Sequence, residues 1–374
     1  MTFLIAIDKF KDSISASRAA HCLSEGILST STLAQTIIHP MSDGGDGTLD
    51  ILAFHLGLEI HEVKVADPLH RTISAKYGIK DQVAYIESSL ACGLSLLTKE
   101  ERNPSKTTTF GVGQLINNAI NKGCKKIHLF LGGSATNDGG TGMASALGYK
   151  FLDNFGQEFI PTGNTLYKIS TIIFPYNLPE LANIEIMAWT DVNVPLFGQN
   201  GSALMFSTQK GATKEEATLL EDGMKHYYCV LCNIFGHKGG DCISGSGAAG
   251  GLGIGCLTFL NAKINSGTEF IMQATKLLDK AIMADVIITG EGQLDDQSTK
   301  GKVVSGVCKL AHSLNKPCMI VAGKNEISKA NIGLFASSKV FTLVQKAKNI
   351  DDAMQNPCKY LKEIGFEIGL MTSN

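Results

Sequence analysis

Short, continuously apolar runs, each followed by a polar loop and a helix-period segment, set the rhythm at both ends of this chain. Residues 3–7 (FLIAI) read as a buried parallel strand, and Asp8-Lys9-Phe10-Lys11-Asp12-Ser13 follows where its carboxyl end emerges. Ser15 suits an N-cap for a helix with apolar residues at Ala16, Ala19, Ala20, Leu23 and Ile27. A second strand near 35–39 delivers Ser42-Asp43-Gly44-Gly45-Asp46-Gly47-Thr48 before a helix through His55. The C-terminal stretch repeats this βαβ pattern: DVIITGEGQLDD, a helix over about 301–314, then the strand PCMIVAG.

The middle of the chain has another rhythm. From about residue 59, EIHEVKVAD, TISAKYGI and VAYIESS alternate as antiparallel strands do, around the turn Asp67-Pro68-Leu69-His70-Arg71. A helix at 111–122, closed by Gly123, leads into IHLFLGGSATNDGGTGM (127–143), an apolar strand opening into a glycine-rich loop. Residues 185–190 make a further strand ending on Asp191. Thr213 with Glu216, and Ser266 with Glu269, have capping-box spacing and open helices to about 235 and to Met283. The expected fold is α/β with two α/β domains. Residues 1–60 and 284–374 form a discontinuous Rossmann- or flavodoxin-like parallel-sheet domain, 61–283 an inserted mixed α/β domain, and the active site lies in the cleft between them.

Composition narrows the functional classes. Of 374 residues, 44% are hydrophobic and 18% charged, which excludes a disordered chain, and the formal charge of −2 offers no field for nucleic acid or an anionic membrane. Only three arginines (Arg18, Arg71, Arg102) stand among thirty-three basic residues, so guanidinium clamps are scarce. The start reaches Asp8 and Lys9 too soon for a signal peptide, and no run reaches membrane-spanning length, which predicts a cytoplasmic protein with reduced thiols. Cys229 and Cys232 have CxxC spacing within a helical pattern and read as core packing rather than a metal site.

Asp8 to Ser13, Asp43 to Thr48, Asn137-Asp138, Glu291 to Asp295 and Asp191 all sit at predicted strand ends, where open α/β sheets bind ligands. Carboxylates for Mg²⁺, lysines and glycine-rich N–H cradles are the parts of phosphoryl transfer. Lys300-Gly301-Lys302 runs into Val303, so this is no P-loop. Gly245, Gly247 and Gly250 match G-x-G-x-x-G, but GGDCIS before them makes a poor buried strand, so close backbone packing explains them better than a dinucleotide.

Together these loops resemble the type 1 glycerate kinase family over nearly the whole chain. The resemblance is carried by DKFKDS (8–13), SDGGDGT (42–48), DPLHR (67–71), ERNPSKTTTFGVG (101–113), GGSATNDGGTGM (132–143), TDVNVPLFGQNG (190–201), STQKGAT (207–213), GSGAAGGLG (245–253) and TGEGQLDDQSTKGK (289–302). It implies a two-domain α/β enzyme that uses ATP and Mg²⁺ to phosphorylate D-glycerate, commonly giving 2-phosphoglycerate. A homodimer is compatible with it. Departures are Val194 for a common Asn, His70 for Gly and Gln293 for Arg.

Within those motifs, chemistry suggests roles. Lys11 stabilises the transferred phosphoryl group and Asp191 is the base. Arg71 and Arg102 are candidates for the substrate carboxylate, with Ser134, Thr136, Asn137 and Asp138 lining the same side. Gly44, Gly45, Gly132, Gly133 and Gly290 would bind phosphate or nucleotide, and Asp43, Glu291 and Asp295 the metal. Competing readings are a kinase for another small hydroxy acid, a 3-phosphoglycerate product, a non-catalytic metabolite sensor and a nicotinamide oxidoreductase.

Overall fold

In the computed structural model the opening apolar run forms strand β1 (Thr2–Ile7), buried from Phe3 to Ile7. Helix Ala16–Leu28 is capped by Ser15, whose Oγ accepts from the Arg18 N–H, and returns the chain to β2 (Gln35–Ile38), parallel to β1. The structure describes residues 1–371 apart from 31, 177–180, 182, 237–242, 300–301, 329–334 and 336–337. Lys300-Gly301 and the first four residues of GGDCIS lie outside the described residues.

The chain divides into two units: Met1–Asp43, Asp50–Leu56 and Gly267–Asn374 form the first, Gly44–Leu49 and Gly57–Ser266 the second. In the second, β3 (Glu59–Ala66), β4 (Thr72–Lys80) and β5 (Val83–Glu87) run antiparallel in succession, as their alternation requires. Strand β6 (Lys126–Phe130) follows helix Phe110–Asn121 and pairs parallel with β5. A small antiparallel sheet is built from β7 (Lys150–Leu152), β8 (Glu158–Phe159) and β9 (Thr171–Ile173). Strands β10 (Glu185–Trp189) and β11 (Lys263–Asn265) complete a six-stranded mixed sheet in the order β11-β10-β6-β5-β4-β3.

Helix Lys214–Phe235 opens with the full Thr213/Glu216 capping box. Its buried stripe includes Leu220, Met224, Tyr227 and Leu231, which leaves Cys229 exposed and Cys232 half-buried. Cys232 packs against the core cluster that holds Met224, Tyr227 and Leu231, as expected, whereas for Cys229 the expectation of core packing is corrected, because it falls off the apolar stripe and is exposed.

The first unit resumes with β12 (Val286–Leu294), β13 (Cys318–Asn325) and β14 (Lys339–Thr342), giving an all-parallel sheet in the order β14-β13-β12-β1-β2. Three sequence readings are corrected here. The segment from Ser266 to Met283 is two helices, Gly267–Ala274 and Leu277–Met283, broken where Lys276 turns left-handed (φ 55°). Both belong to the first unit, which moves the expected junction from 283 to 266. Helix Leu277–Met283 packs on β1 and on helix Val303–Ser313, contacts that the local pattern does not reveal. Finally, Cys22 and Cys358 form a disulfide with Cα atoms 5.4 Å apart, joining helices Ala16–Leu28 and Pro357–Met371. A separation of 336 residues hid that neighbourhood, and the expectation of uniformly reduced thiols is corrected.

His39 is buried in this unit, bonded through Nε2 to Thr275 Oγ1 at 2.8 Å, with its ring tilted 41° against that of His55 at 4.2 Å between centroids. Burial, reinforced by His55 and Lys280, pushes its pKa down to about 3. The unfolded chain takes up this proton near pH 6.5, so stability held above that pH drains as pH falls toward 3. The loss should reach on the order of 2–3 kcal/mol by pH 4. His39→Gln should flatten this acid limb in denaturant titrations, and an unchanged limb would refute the assignment.

Candidate active site

In the first unit, β1, β2 and β12 deliver Asp8, Asp43 and Glu291 from the carboxyl ends of their strands into one pocket of about 390 Å³ that also receives Lys11 and Lys302. A tight turn with Asp12 left-handed (φ 59°) leaves Lys11 exposed. Burial holds the Asp8 carboxyl well above the usual range, and nearby Asp43 and Glu291 add to the effect. Glu291 is pushed to about 7, chiefly by burial, against the opposing pull of the Ser298 hydroxyl and Lys302. Its Oε1 is buried without a hydrogen-bond partner.

Burial thus disfavours the charged forms of Asp8 and Glu291, a cost that a bound cation would offset. Among the described residues no group of three or more His, Cys, Asp or Glu converges as a protein-only metal cage. Mg²⁺ commonly takes just one or two carboxylates, with water and phosphate completing its shell, so the donor set fits that ion. Asp295 is engaged locally, its Oδ1 accepting from the Ser298 N–H at 3.3 Å while its own N–H donates to Ser298 Oγ. Gly290 lies inside the sheet. A Cβ there would meet the Val321 carbonyl at 1.9 Å, so packing between strands accounts for this glycine.

In the second unit, the Gly44–Leu49 segment and the loop after β6 meet face to face. A Cβ on Gly132 would fall 2.5 Å from Gly45 Cα, and one on Gly133, which is left-handed, 1.7 Å from Asp46 Oδ1. Gly44, Gly45, Gly132 and Gly133 are thus brought together. Buried Glu87 secures the first of these loops, accepting from the N–H groups of Gly47 and Leu49 at 2.9 Å each and from Ser89 Oγ.

The rest of the β6 loop is held from below. Asp138 is buried and accepts from Thr109 N–H and Oγ1 and from the N–H groups of Gly140 and Gly142, so its carboxylate organises the loop itself. Lys210, also buried, donates to Ser134 Oγ at 3.0 Å and to the Thr136 carbonyl at 2.8 Å. Burial lowers its pKa to about 8, with Cys92 and Asp138 opposing. Thr136 Oγ1 and Asn137 Nδ2 are buried without hydrogen-bond partners.

Arg71 and Arg102 differ. Arg71 is exposed and bound to Asp67 and Glu101 at 2.6 Å each, whereas Arg102 is half-buried with an Nε that lacks a partner. Asp191, at the end of β10, is half-buried and accepts from Ser266 Oγ at 2.7 Å. His70 has φ 62°, a left-handed conformation that Gly would adopt without strain. Val194 is buried, and Gln293 donates to Glu326 at 2.7 Å.

Asp8, Glu87 and Lys210 carry site geometry that the sequence reading left without roles. Asp8 stood in a quoted motif at a strand end and could have been found. Glu87 closes an alternating strand and Lys210 is a lone lysine in STQKGAT, and burial of either has no local signal.

Among the described residues no helix is long and apolar enough to cross a membrane. The model of the glycerate kinase family matches residues 3–373. A glycerate kinase of Halalkalibacterium halodurans is 36% identical over 100% of this chain and 98% of its own length. A glycerate 2-kinase of Escherichia coli is 34% identical with both chains fully covered. The crystal structure of a putative glycerate kinase 2 from Salmonella typhimurium LT2 superposes with a TM-score of 0.80 at 31% identity, covering 100% of this chain and 98% of that one.

Proposed function

The chain belongs to the glycerate kinase family, and from that premise we propose that it transfers the γ-phosphoryl group of ATP to the 2-hydroxyl of D-glycerate. The observation that carries this reading is the first-unit cluster of buried Asp8 with half-buried Asp43 and Glu291, which line one pocket with Lys11 and Lys302. Asp8 and Glu291, whose charged forms burial disfavours, suit a site completed by a divalent cation and a polyphosphate.

Asp43 and Glu291 would hold Mg²⁺, which when bound supplies charge neutralisation on the phosphate oxygens. Lys11, exposed on its turn, balances charge on the transferred group. Asp191 receives the proton of the substrate hydroxyl as that oxygen bonds to phosphorus and the bond to the ADP oxygen breaks. Ser266 positions it by donating to Oδ1. Arg102, with a buried N–H still to satisfy, suits the substrate carboxylate better than Arg71, whose two acid partners already occupy it. The loop glycines and Asn137 offer N–H donors to anionic oxygens. The E. coli relative's name, glycerate 2-kinase, supports the 2-phosphate product.

ADP release measured with ATP, Mg²⁺ and a panel of D-glycerate, L-glycerate, lactate and glycolate tests the substrate. D-Glycerate should exceed lactate by at least about a hundredfold in kcat/KM, because a site built for a hydroxyl penalises its absence. Equal turnover across the panel, or none with D-glycerate, would overturn the reading.

A further inference from the structure

The first-unit pocket has two chemically unlike ends, and the proposed roles account for just one of them. Asp8, Asp43 and Glu291 come from β1, β2 and β12, while Leu343 and Val344 follow β14 at the opposite edge of the sheet from β2 and line the same pocket with Ile350 and Met354. Ile350 is 56% and Met354 43% exposed, although both face a concave site. A three-carbon hydroxy acid is polar throughout and would leave this wall wet. A ligand that satisfies the whole pocket is anionic at one end and flat and apolar at the other.

We propose that the wall of Leu343, Val344, Ile350 and Met354 seats the purine ring of a nucleoside triphosphate whose phosphates reach the Asp43 and Glu291 end. This rests on the kinase reading and deepens it by assigning the base a place. The pocket volume of about 390 Å³ lies in the range of small-molecule and cofactor sites.

The wall is a built surface. Residues Leu343–Gln345 follow directly on β14. Asn349 caps helix Ile350–Gln355 by accepting from the Asp352 N–H at 2.8 Å. Ser13 Oγ donates to the Met354 carbonyl at 2.8 Å, so the turn that carries Lys11 is bonded to the apolar wall. Phosphate side and base side are thereby fixed to one another, which limits the ordering cost of binding a long ligand.

The test titrates the full-length protein with fluorescent N-methylanthraniloyl-ATP and Mg²⁺, without glycerate. It compares wild type, Ile350→Glu/Met354→Glu and the control Leu219→Glu, whose side chain is 70% exposed on a helix of the second unit. Both altered wall residues reach solvent, so all three proteins should melt together. The double variant should weaken nucleotide binding by about tenfold or more through lost apolar contact and added repulsion of phosphate. In steady-state assays KM for ATP should rise in parallel, while KM for glycerate stays within about twofold.

If wild type phosphorylates glycerate and the double variant binds the probe as wild type does, the base seat is refuted and the kinase reading stands. If nucleotide binds, and binding weakens in the double variant, without any turnover of glycerate, the seat stands and the kinase reading falls. Absence of both binding and turnover overturns both.

Discussion

Asp191→Asn should lower kcat for glycerate phosphorylation by about a hundred- to ten-thousandfold, the range of a positioned general base. The amide keeps an oxygen that can accept the Ser266 hydroxyl, so melting temperature and glycerate binding should change little. That separation is the point of the variant. Loss of kcat with retained affinity identifies an interaction needed for the transition state, whereas a matching loss of stability would make Asp191 a structural residue. Ser266→Ala acts one step back: it should cost less in kcat than Asp191→Asn and change the pH profile of kcat, because the group it orients is the one that accepts the proton. An unchanged profile would remove Ser266 from the mechanism.

The second large effect is structural. Gly250 is left-handed (φ 70°), and a Cβ there would lie 1.9 Å from the Thr136 carbonyl oxygen. Gly250→Ala combines backbone strain with an overlap that the fixed loop cannot relieve, and should cost about 2–4 kcal/mol. The displaced segment is the one that Lys210 grips through Ser134 and Thr136. The variant should therefore also raise KM for glycerate even at temperatures where it remains folded. Denaturant unfolding gives the first quantity and steady-state kinetics the second. Wild-type values for both would show that the glycine-rich stretch does not support the loop.

The parallel strands were legible because full burial writes itself as short apolar runs. FLIAI became β1, and the alternation of EIHEVKVAD became an antiparallel edge. Strand-end chemistry was legible for the same reason, since the end of each run locates the polar residues that emerge from the sheet. What stayed hidden depends on distant partners. Nothing near Lys210 marks it as buried, because its partners lie more than seventy residues away. Glu87 read as one residue of the strand-like piece VAYIESS, while its role is to hold Gly47 and Leu49 some forty positions earlier. Asp138 looked like a ligand in a glycine-rich loop, and four donors of its own surroundings show where its charge goes. The Cys22 and Cys358 disulfide and the helix break at Lys276 are likewise products of packing between segments that no local pattern connects.

The most direct test of the central claim is phosphorus NMR of the wild-type reaction with ATP, Mg²⁺ and D-glycerate. The wild-type reaction should give stoichiometric ADP and 2-phosphoglycerate, with no product when Mg²⁺ is chelated. A 3-phosphoglycerate resonance would contradict the assigned hydroxyl, and ATP left intact while glycerate binds would contradict phosphoryl transfer itself.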